Sequence, residues 1–273
     1  MSKVLHLGRA VVRVLPLPLG NALRRLYHGV LLPLTYARQA ARDERLTAEW
    51  DLAAVPPPRL RHRVHGATDL TSFLDAGRAN FAALNAALAK ARVAPQGAWT
   101  VLDFGCGCGR TALWWTRRFA DHRFFGVDID AEAVAWDREH LPGAFETIDP
   151  RPPTRFEDGF FDVILAISVF THLDRDLQDA WLEELRRLAR PGGLVLASVH
   201  SEQAARRLPG AARGALGRNG IVFVRHNAMP GVFPDFYQTT YHARDYVEGH
   251  WSQFFQVVAR VGLGDQDLVV LRR

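Results

Sequence analysis

A glycine-rich turn between an apolar strand and a helix is the feature that most constrains this sequence. Residues 101–110 read VLDFGCGCGR, so an apolar run ends in an acid and three glycines follow at alternate positions. Glycine tolerates positive φ and, because it has no Cβ, lets a ligand approach the main chain closely. The segment TALWW that follows is typical of a helix, whose N-terminus favours an anionic group. We therefore expect an α/β domain whose first crossover binds a nucleotide-like ligand.

Two common phosphate-binding loops do not match this spacing. A dinucleotide fingerprint needs Gly or Ala three residues after the second glycine, where this chain has Arg110. A P-loop ends in G-K-[ST], whereas this loop ends in G-R-T and its glycines are closer together. Both interpretations are therefore disfavoured.

A second acid follows the next predicted strand, RFFGVDID. Asp128 lies 25 positions after Asp103, about where the second strand of a βαβ unit delivers a carboxylate to a ribose diol. A carboxylate can accept a hydrogen bond from both hydroxyls. Asp130 then reads as the N-cap of the helix AEAVAWDREHL.

Four segments of the chain resemble, in order, the signature segments of class I S-adenosylmethionine-dependent methyltransferases. They are VLDFGCGCGR, FFGVDID, DGFFDVILAISVFTHL and ELRRLARPGGLVLASVH, and they cover roughly residues 99–200. The resemblance implies a Rossmann-like, seven-stranded, mostly parallel sheet with an antiparallel C-terminal hairpin and helices on both faces. The segments DYVEGHW and QDLVVLRR also resemble a bacterial subgroup of these methyltransferases, many found beside glycosyltransferases and with no established acceptor.

The resemblance implies that S-adenosyl-L-methionine is the cofactor. The residues that it assigns to the cofactor are Asp103, Gly105, Cys106, Gly107, Gly109, Asp128, Ile129, Asp149, Ala166 and Ser168. The main chain of the glycine loop would cradle the methionine end, and Asp103 would orient its amino group. The segment from Ala166 to Ser168, after the fourth strand, would lie beside the reacting methyl.

The adenosine end is assigned to the ends of the second and third strands. Asp128 would hold the ribose, and Ile129 would pack on the adenine. An adenine-edge contact is expected near Ile148 or Asp149, where AFETIDP departs from the small-residue pattern usual in the family.

Methyl transfer from a sulfonium needs in-line placement of a nucleophile more than it needs a catalytic group. If the acceptor is an alcohol, a histidine of near-neutral pKa is the natural base. His172 follows the fourth strand and His242 lies in the presumed cap with Tyr237 and Tyr241, so both histidines are candidate catalytic residues. His200, after the fifth strand, is a weaker candidate, and for each histidine a structural hydrogen bond is the alternative.

The two cysteines favour a reduced, cytoplasmic setting. Cys106 and Cys108 are one residue apart in the glycine loop and cannot cross-link the fold. No further Cys/His cluster at ligand spacing accompanies them, so no metal is expected.

Positive charge is concentrated at the N-terminus. Residues 1–66 carry 11 Lys or Arg against four Asp or Glu, whereas the remainder carries 23 against 25. Apolar pieces interrupted by Arg9, Arg13, Arg24 and Arg25 give neither a spanning helix nor a signal peptide. Residues 1–55 can be a segment that contacts a membrane surface or an acidic partner, or a pair of ordinary cap helices with solvated arginines. We favour the cap helices.

The expected organisation is a basic N-terminal helical extension with a proline-rich connector over 1–66, and a methyltransferase domain over 67–273. Within that domain, residues 201–250 are expected to form a substrate cap. A long amphipathic helix should end at a Pro-Gly-Gly stop before strand LVLASVH, and FFQVVARVG and DLVVLRR should form the terminal hairpin.

The functional hypothesis is methylation of a small molecule or glycan, most simply on oxygen. One alternative is N- or C-methylation of a lipid, quinone or natural product, and another is a non-catalytic S-adenosylmethionine-binding partner of a glycan assembly system. Nucleic acid is disfavoured as a partner because the fourth strand is followed by ISVF and not by a base-flipping motif. Nothing in the sequence fixes the oligomeric state.

Overall fold

The structure, a computed structural model, describes residues 27–50, 52–93, 97–225 and 238–273. Contacts between residues divide the chain into two compact units, Met1–Leu70 and Thr71–Arg273. For residues 1–55 the sequence allows contact with a membrane or an acidic partner, or a pair of cap helices. Residues 1–26 of that segment lie outside the described residues. In the described part of the chain, no helix combines the length and apolarity needed to cross a membrane.

The N-terminal unit is helical where the structure describes it. A short π-helix, Tyr27–Leu31, runs into α1, Leu32–Glu49, and α2 follows at Pro58–His65. The sequence predicts a proline-rich connector over residues 55–66, and α2 corrects that expectation. Proline suits the first turn of a helix, where its missing N–H needs no partner, and Gly66 ends the helix at φ +72°.

A buried ion pair joins α1 to α2. The Arg61 guanidinium is fully buried and donates through Nη2 to Oδ2 of Asp43 at 2.5 Å. It also donates to the carbonyl oxygens of Pro56 and Thr68, so four of its five N–H hydrogens have acceptors. Because a buried charge is tolerated only when paired and hydrogen-bonded, this network defines how α1 and α2 pack.

The second unit is built on a seven-stranded sheet of order β3-β2-β1-β4-β5-β9-β8. The first five strands are parallel, and β9 is antiparallel to both β5 and β8. Their bounds are β1 Thr100–Phe104, β2 Arg123–Asp128, β3 Ala144–Thr147, β4 Phe161–Ala166, β5 Ala189–His200, β8 Gln256–Leu263 and β9 Gln266–Arg272. This is the predicted Rossmann-like sheet with its antiparallel C-terminal hairpin, and the fold prediction is confirmed.

Helices pack on both faces of the sheet. The helices that follow in the chain are α3 Leu70–Lys90, α4 Ala112–Arg118, α5 Ala131–His140, α6 Arg175–Leu188, α7 Glu202–Ala205, α8 Gly210–Asn219 and α9 Arg244–His250, with a 3-10 turn at Trp251–Gln253. Of these, α7 and α8 pack with the small second sheet. Alternate residues of the central strands face opposite sides, as expected of strands buried on both faces. One core packs Val163 and Leu165 of β4 with residues of α3 and α4, and the other packs Ile164 with residues of α6.

The start of β5 differs from the expectation. The sequence predicts a Pro-Gly-Gly stop before this strand, whereas β5 already begins at Ala189 and includes that tripeptide. The pairing with β4 shifts from Phe161↔Ala189 to Val163↔Leu194, so the extra residues form a bulge. Gly192 has φ +75° and can turn the bulged segment without a Cβ penalty.

Residues 201–250 hold α7, α8, α9 and a separate two-stranded antiparallel sheet. Its strands are β6, Ile221–Val224, and β7, Thr239–His242. The connection between them includes residues 226–237, so the candidate residue Tyr237 lies outside the described residues.

Candidate cofactor site

The glycine loop lies at the carboxyl end of β1, between that strand and α4. Gly105, Gly107 and Gly109 have φ of +80°, +57° and +73°. The amides of Gly105 and Cys106 both donate to the carbonyl oxygen of Val127, at 2.8 and 3.0 Å. These turns and hydrogen bonds hold the loop against the end of β2, where the second acid was expected.

The protein's own packing also requires two of these glycines. A Cβ on Gly105 would lie 2.4 Å from Cγ2 of Val169, and a Cβ on Gly109 would lie 2.2 Å from Cδ1 of Leu141. The sequence interpretation explains the missing side chains by positive φ and by the close approach of a ligand. In the structure, side chains of the same chain press on the loop as well.

Asp128 supports the glycine loop from the end of β2. Its Oδ2 accepts from the amide of Gly107 at 2.8 Å, and its Oδ1 accepts from the amide of Asp130 at 2.9 Å. Burial raises the pKa of Asp128 above its usual value, although these backbone hydrogen bonds oppose the shift. A carboxylate has about four acceptor positions, so these backbone bonds do not use all of them and a ligand hydroxyl can still donate to Asp128.

Asp130 begins α5 as predicted. Its Oδ1 accepts from the amides of Glu132 and Ala133, both at 3.2 Å, which is the bonding pattern of an N-cap. The cap fixes the point at which the chain leaves the end of β2.

Asp103 lies at the floor of the loop and is almost fully buried, at 2% exposed. In the described part of the chain, its Oδ2 has no hydrogen-bond partner. Burial, followed by the charge of Asp128, raises the pKa of Asp103 to about 7, and Arg110 opposes the shift. A buried acceptor without a donor is costly, so a ligand that brings an ammonium group here would be bound by charge and by hydrogen bonding.

Asp137 is a buried acid that the sequence analysis missed. It lies on α5, is fully buried, and its Oδ2 is 3.5 Å from Sγ of Cys106. Burial raises the pKa of Asp137 to about 9, and burial and Asp137 together raise that of the Cys106 thiol. Both groups are therefore protonated at neutral pH. In sequence, Asp137 reads as one more charge on a polar helix, and only the packing of α5 under the loop distinguishes it.

The predicted adenine-contacting residues lie together at the ends of β2 and β3. Ile129 is 39% exposed, which is unusual for a large apolar side chain and suits one that packs on a planar ligand. The amide of Ile148 donates to the carbonyl oxygen of Asp128 at 3.0 Å, which brings the end of β3 beside the end of β2. Asp149, the next residue, is exposed.

The segment after β4 makes a sharp turn. Ala166 is fully buried at the end of the strand, and Ser168 has φ +63°, a left-handed conformation that is rare for a residue with a Cβ. The amide of Ser168 donates to Oγ of Ser198 on β5 at 2.6 Å. The turn directs the chain back across the glycine loop, where Val169 meets Gly105.

The candidate base His172 lies four residues after this turn and is half-buried. Its Nδ1 is 2.6 Å from the carbonyl oxygen of Gln238. Because a carbonyl can only accept, Nδ1 carries a hydrogen and donates it to Gln238. The amide of Thr240 in β7 donates to the carbonyl oxygen of Thr171 at 2.8 Å, so the cap strand is bonded to this loop.

The candidate base His242 lies in the interior, at 3% exposed. Its Nε2 is 2.9 Å from Oε1 of Gln178 on α6, and Gln178 donates in turn to the carbonyl oxygen of Leu173. Burial, with the nearby His200 and Arg260, lowers the pKa of His242 to about 3, so the ring is neutral. These contacts favour a structural role for His242.

His200 ends β5, and its ring is stacked on Tyr241 at a centroid distance of 4.5 Å. Burial lowers the pKa of His200 below its usual value. The stack joins the sheet to the cap strand β7 beside the Ser168 turn.

Comparison with known proteins identifies the same domain. Residues 101–193 match the family described as the methyltransferase domain. Two curated relatives also match. One is a probable phthiotriol/phenolphthiotriol dimycocerosates methyltransferase 2 of Mycobacterium ulcerans, 32% identical over 34% of this chain and 36% of that protein. The other is the 2-methyl-6-phytyl-1,4-hydroquinone methyltransferase of a Synechocystis species, 26% identical over 40% of this chain and 35% of that protein. The chain thus spans about a third of the length of the curated relatives it matches.

Solved structures share the fold. The 1,6-didemethyltoxoflavin-N1-methyltransferase of Burkholderia thailandensis, crystallised with 1,6-didemethyltoxoflavin and S-adenosylhomocysteine, has a TM-score of 0.55 and 17% identity over 81% of this chain and 92% of that one. A SAM-dependent methyltransferase of Methanosarcina mazei has a TM-score of 0.53 and 14% identity over 66% of this chain and 94% of that one.

The matched family and the fold agree with the site. The family is S-adenosylmethionine-dependent, and the residues here fit that cofactor, since Asp103 has a buried oxygen for its ammonium group and Asp128 has acceptor positions for its ribose. Residues 101–193 therefore match the methyltransferase domain family, and the sheet that surrounds them has the fold expected of the class I S-adenosylmethionine-dependent methyltransferases.

Proposed function

We propose that this chain transfers a methyl group from S-adenosylmethionine to an oxygen atom of a small molecule or glycan. The observation that supports cofactor binding is the buried Oδ2 of Asp103, which has no partner in the described part of the chain and lies at the floor of a left-handed glycine loop. When bound, S-adenosylmethionine supplies a methyl group on a sulfonium, which is already a good leaving group.

In this proposal the chain's own residues bind and orient. Asp103 accepts from the cofactor ammonium, Asp128 accepts from the ribose hydroxyls, and Ile129 covers the adenine. Gly107 keeps its amide on Asp128, so the loop is formed before the ligand arrives. Such preorganisation reduces the entropy that is lost when the two reactants are held in line.

The proposed base is His172. Its Nδ1 donates to the carbonyl oxygen of Gln238, which fixes the ring in the loop after β4, and the proposal assigns Nε2 to accept the hydroxyl proton of the acceptor. His242, the other candidate, is bonded to Gln178 inside the protein and is proposed to hold the cap strand on the loop after β4.

The proposed domain organisation keeps residues 1–66 as a basic helical extension and 67–273 as the methyltransferase domain, with the acceptor contacted by residues 201–250. The bonds from Thr240 to Thr171 and to Leu173 support the cap assignment, because they join β7 to the loop that follows β4.

A lipid or quinone acceptor, methylated on carbon or nitrogen, is the second candidate. The two curated relatives are named for such acceptors. In addition, the exposed apolar side chains Val30, Leu31 and Leu34 follow the basic N-terminal segment. Apolar and cationic groups together favour an anionic membrane surface. Co-sedimentation of the full chain with anionic vesicles, and its loss in the double variant L31E/L34E, would support this candidate.

The deciding experiment supplies the full chain with S-adenosylmethionine and three acceptor sets: hydroxylated glycans, hydroquinones and lipids in vesicles. Release of S-adenosylhomocysteine with a glycan, abolished in His172→Ala but not in His242→Gln, is the expected result. Release only with hydroquinones or lipids would select the second candidate. Tight S-adenosylhomocysteine binding without turnover on any set would instead favour a non-catalytic binding protein.

A further inference from the structure

Three residues, one in the turn after β4, one in β5 and one in β9, form a closed hydrogen-bonded ring at the carboxyl end of β4. The amide of Ser168 donates to Oγ of Ser198 at 2.6 Å, and Oγ of Ser198 donates to Oε1 of Gln266 at 2.6 Å. Gln266 completes the ring by donating from Nε2 to Oγ of Ser168 at 2.9 Å. Gln266 is the first residue of β9, 98 residues away from Ser168 in sequence. The ring therefore connects the terminal hairpin to the site.

The ring stabilises a costly backbone conformation. Ser168 has φ +63° and, with Arg92, is one of two non-glycine residues at positive φ in the described part of the chain. A left-handed conformation is unfavourable for a residue with a Cβ, because the Cβ comes too close to the following carbonyl oxygen. Such conformations persist only where surrounding contacts fix them, and they are frequent at functional sites. Here both the amide and the hydroxyl of Ser168 are held, and the side chain that makes the conformation costly is part of the ring.

The turn at Ser168 places Val169 in contact with the glycine loop. Val169, the next residue, has its Cγ2 only 2.4 Å from the point where a Cβ on Gly105 would lie, so the two residues are in tight contact. Gly105 in turn is bonded to Val127 of β2. A continuous chain of contacts thus runs from Gln266 through Ser168 and Val169 to the loop that is proposed to hold the methionine end of the cofactor.

We propose that Gln266 is a positioning residue of the methyl-transfer site, which acts on the cofactor through Ser168 and Val169. This role rests on the proposed function, because it assumes that S-adenosylmethionine binds at the glycine loop. Gln266 lies outside the residues matched by the methyltransferase family, and its contribution comes from the hairpin and not from a cofactor motif.

The test measures the affinity for S-adenosylhomocysteine by calorimetry and the melting temperature of the same samples. In Gln266→Ala, Ser168 and Ser198 lose a partner in a part-buried network, and the affinity is expected to fall about tenfold. The matched control is Gln256→Ala, an exposed glutamine at the start of β8, which should bind like the wild type. If Gln266→Ala does not fold, Gln266→Met gives the same test, since it keeps a side chain of similar length and removes the amide contacts with both Ser168 and Ser198.

Rescue separates positioning from a general structural role. In Ser168→Gly, positive φ carries no penalty, so the turn no longer depends on the ring. Adding Gln266→Ala to Ser168→Gly should therefore change the affinity by less than about threefold, although it still lowers the melting temperature.

Two results would overturn the role of Gln266. One is an unchanged affinity in Gln266→Ala, whatever happens to its melting temperature. The other is a full tenfold loss when Gln266→Ala is added to Ser168→Gly. If the folded wild type itself fails to bind S-adenosylhomocysteine, the proposed function fails first, and this role fails with it.

Discussion

Protonation of Asp103 should control cofactor affinity near neutral pH. Its pKa is raised to about 7 by burial and by Asp128, so the ligand-free carboxyl is about half protonated at that pH. Only the ionised form offers charge to the ammonium of S-adenosylmethionine. A bound ammonium favours the carboxylate and lowers its pKa, and the protonated fraction must then lose its proton on binding.

The expected magnitude follows from the titration. With a pKa of about 7, roughly nine-tenths of Asp103 is ionised at about pH 8 and roughly one-tenth at about pH 6. The dissociation constant of S-adenosylhomocysteine should therefore be about tenfold higher at about pH 6 than at about pH 8. At about pH 7, binding should release roughly half a proton per site.

Calorimetry of the full chain in two buffers of different ionisation enthalpy measures both quantities. Asp103→Asn is the matched control, because it keeps the shape of the side chain and cannot ionise. It should bind more weakly than the wild type at about pH 8, with little pH dependence. An affinity for the wild type that is equal at the two pH values, with no proton released, would refute the assignment of Asp103 to the ammonium group.

Three further changes have predictable outcomes. Asp137 keeps its proton in the folded state up to about pH 9 but loses it at lower pH when the chain is unfolded, so rising pH lowers its contribution to stability. Asp137→Asn should therefore raise the melting temperature more at about pH 8 than at about pH 5. A difference in melting temperature between variant and wild type that becomes smaller as the pH rises would contradict this. Arg61→Ala leaves the buried Asp43 without its cationic partner and should destabilise the N-terminal unit by about 3–5 kcal/mol in denaturant unfolding. Exposed Arg59→Ala is the control, and equal effects of the two variants would contradict this prediction. Gly105→Ala should lower both the melting temperature and the ligand affinity, because the added Cβ meets Val169 and because φ is +80°. Adding Val169→Ala removes the clash but not the unfavourable φ, so it should restore both quantities only in part. Complete restoration would show that the positive φ has no cost here.

Elements with a strong local pattern could be predicted from sequence. The buried β-rich run of β4, the terminal hairpin and the Asp130 cap each depend on residues close together in the chain, and all three appear as expected. The acids near the carboxyl ends of β1 and β2, Asp103 and Asp128, could be placed at the same edge of the sheet, because adjacent parallel strands end at that edge.

Features that depend on distant packing could not be predicted. The helix α2 begins inside a proline run, and the burial of its Arg61 depends on the ion pair with Asp43 of α1. Asp137 looks like a surface charge until α5 is packed beneath the loop. Gln266 and Ser168 are 98 residues apart, and no motif connects a hairpin glutamine with a serine after β4. Each of these features needs the tertiary structure before its chemistry is visible.

Titration of S-adenosylhomocysteine into the full chain and into Asp128→Ala tests the central claim most directly. The wild type should bind one equivalent. The variant should bind about ten- to a hundredfold more weakly, because it loses charge-assisted hydrogen bonds worth about 1.5–3 kcal/mol and the support of Gly107. Folded wild type that gives no heat and no thermal shift with this compound, or a variant of unchanged affinity, would contradict the assignment of the glycine loop and Asp128 as a cofactor site.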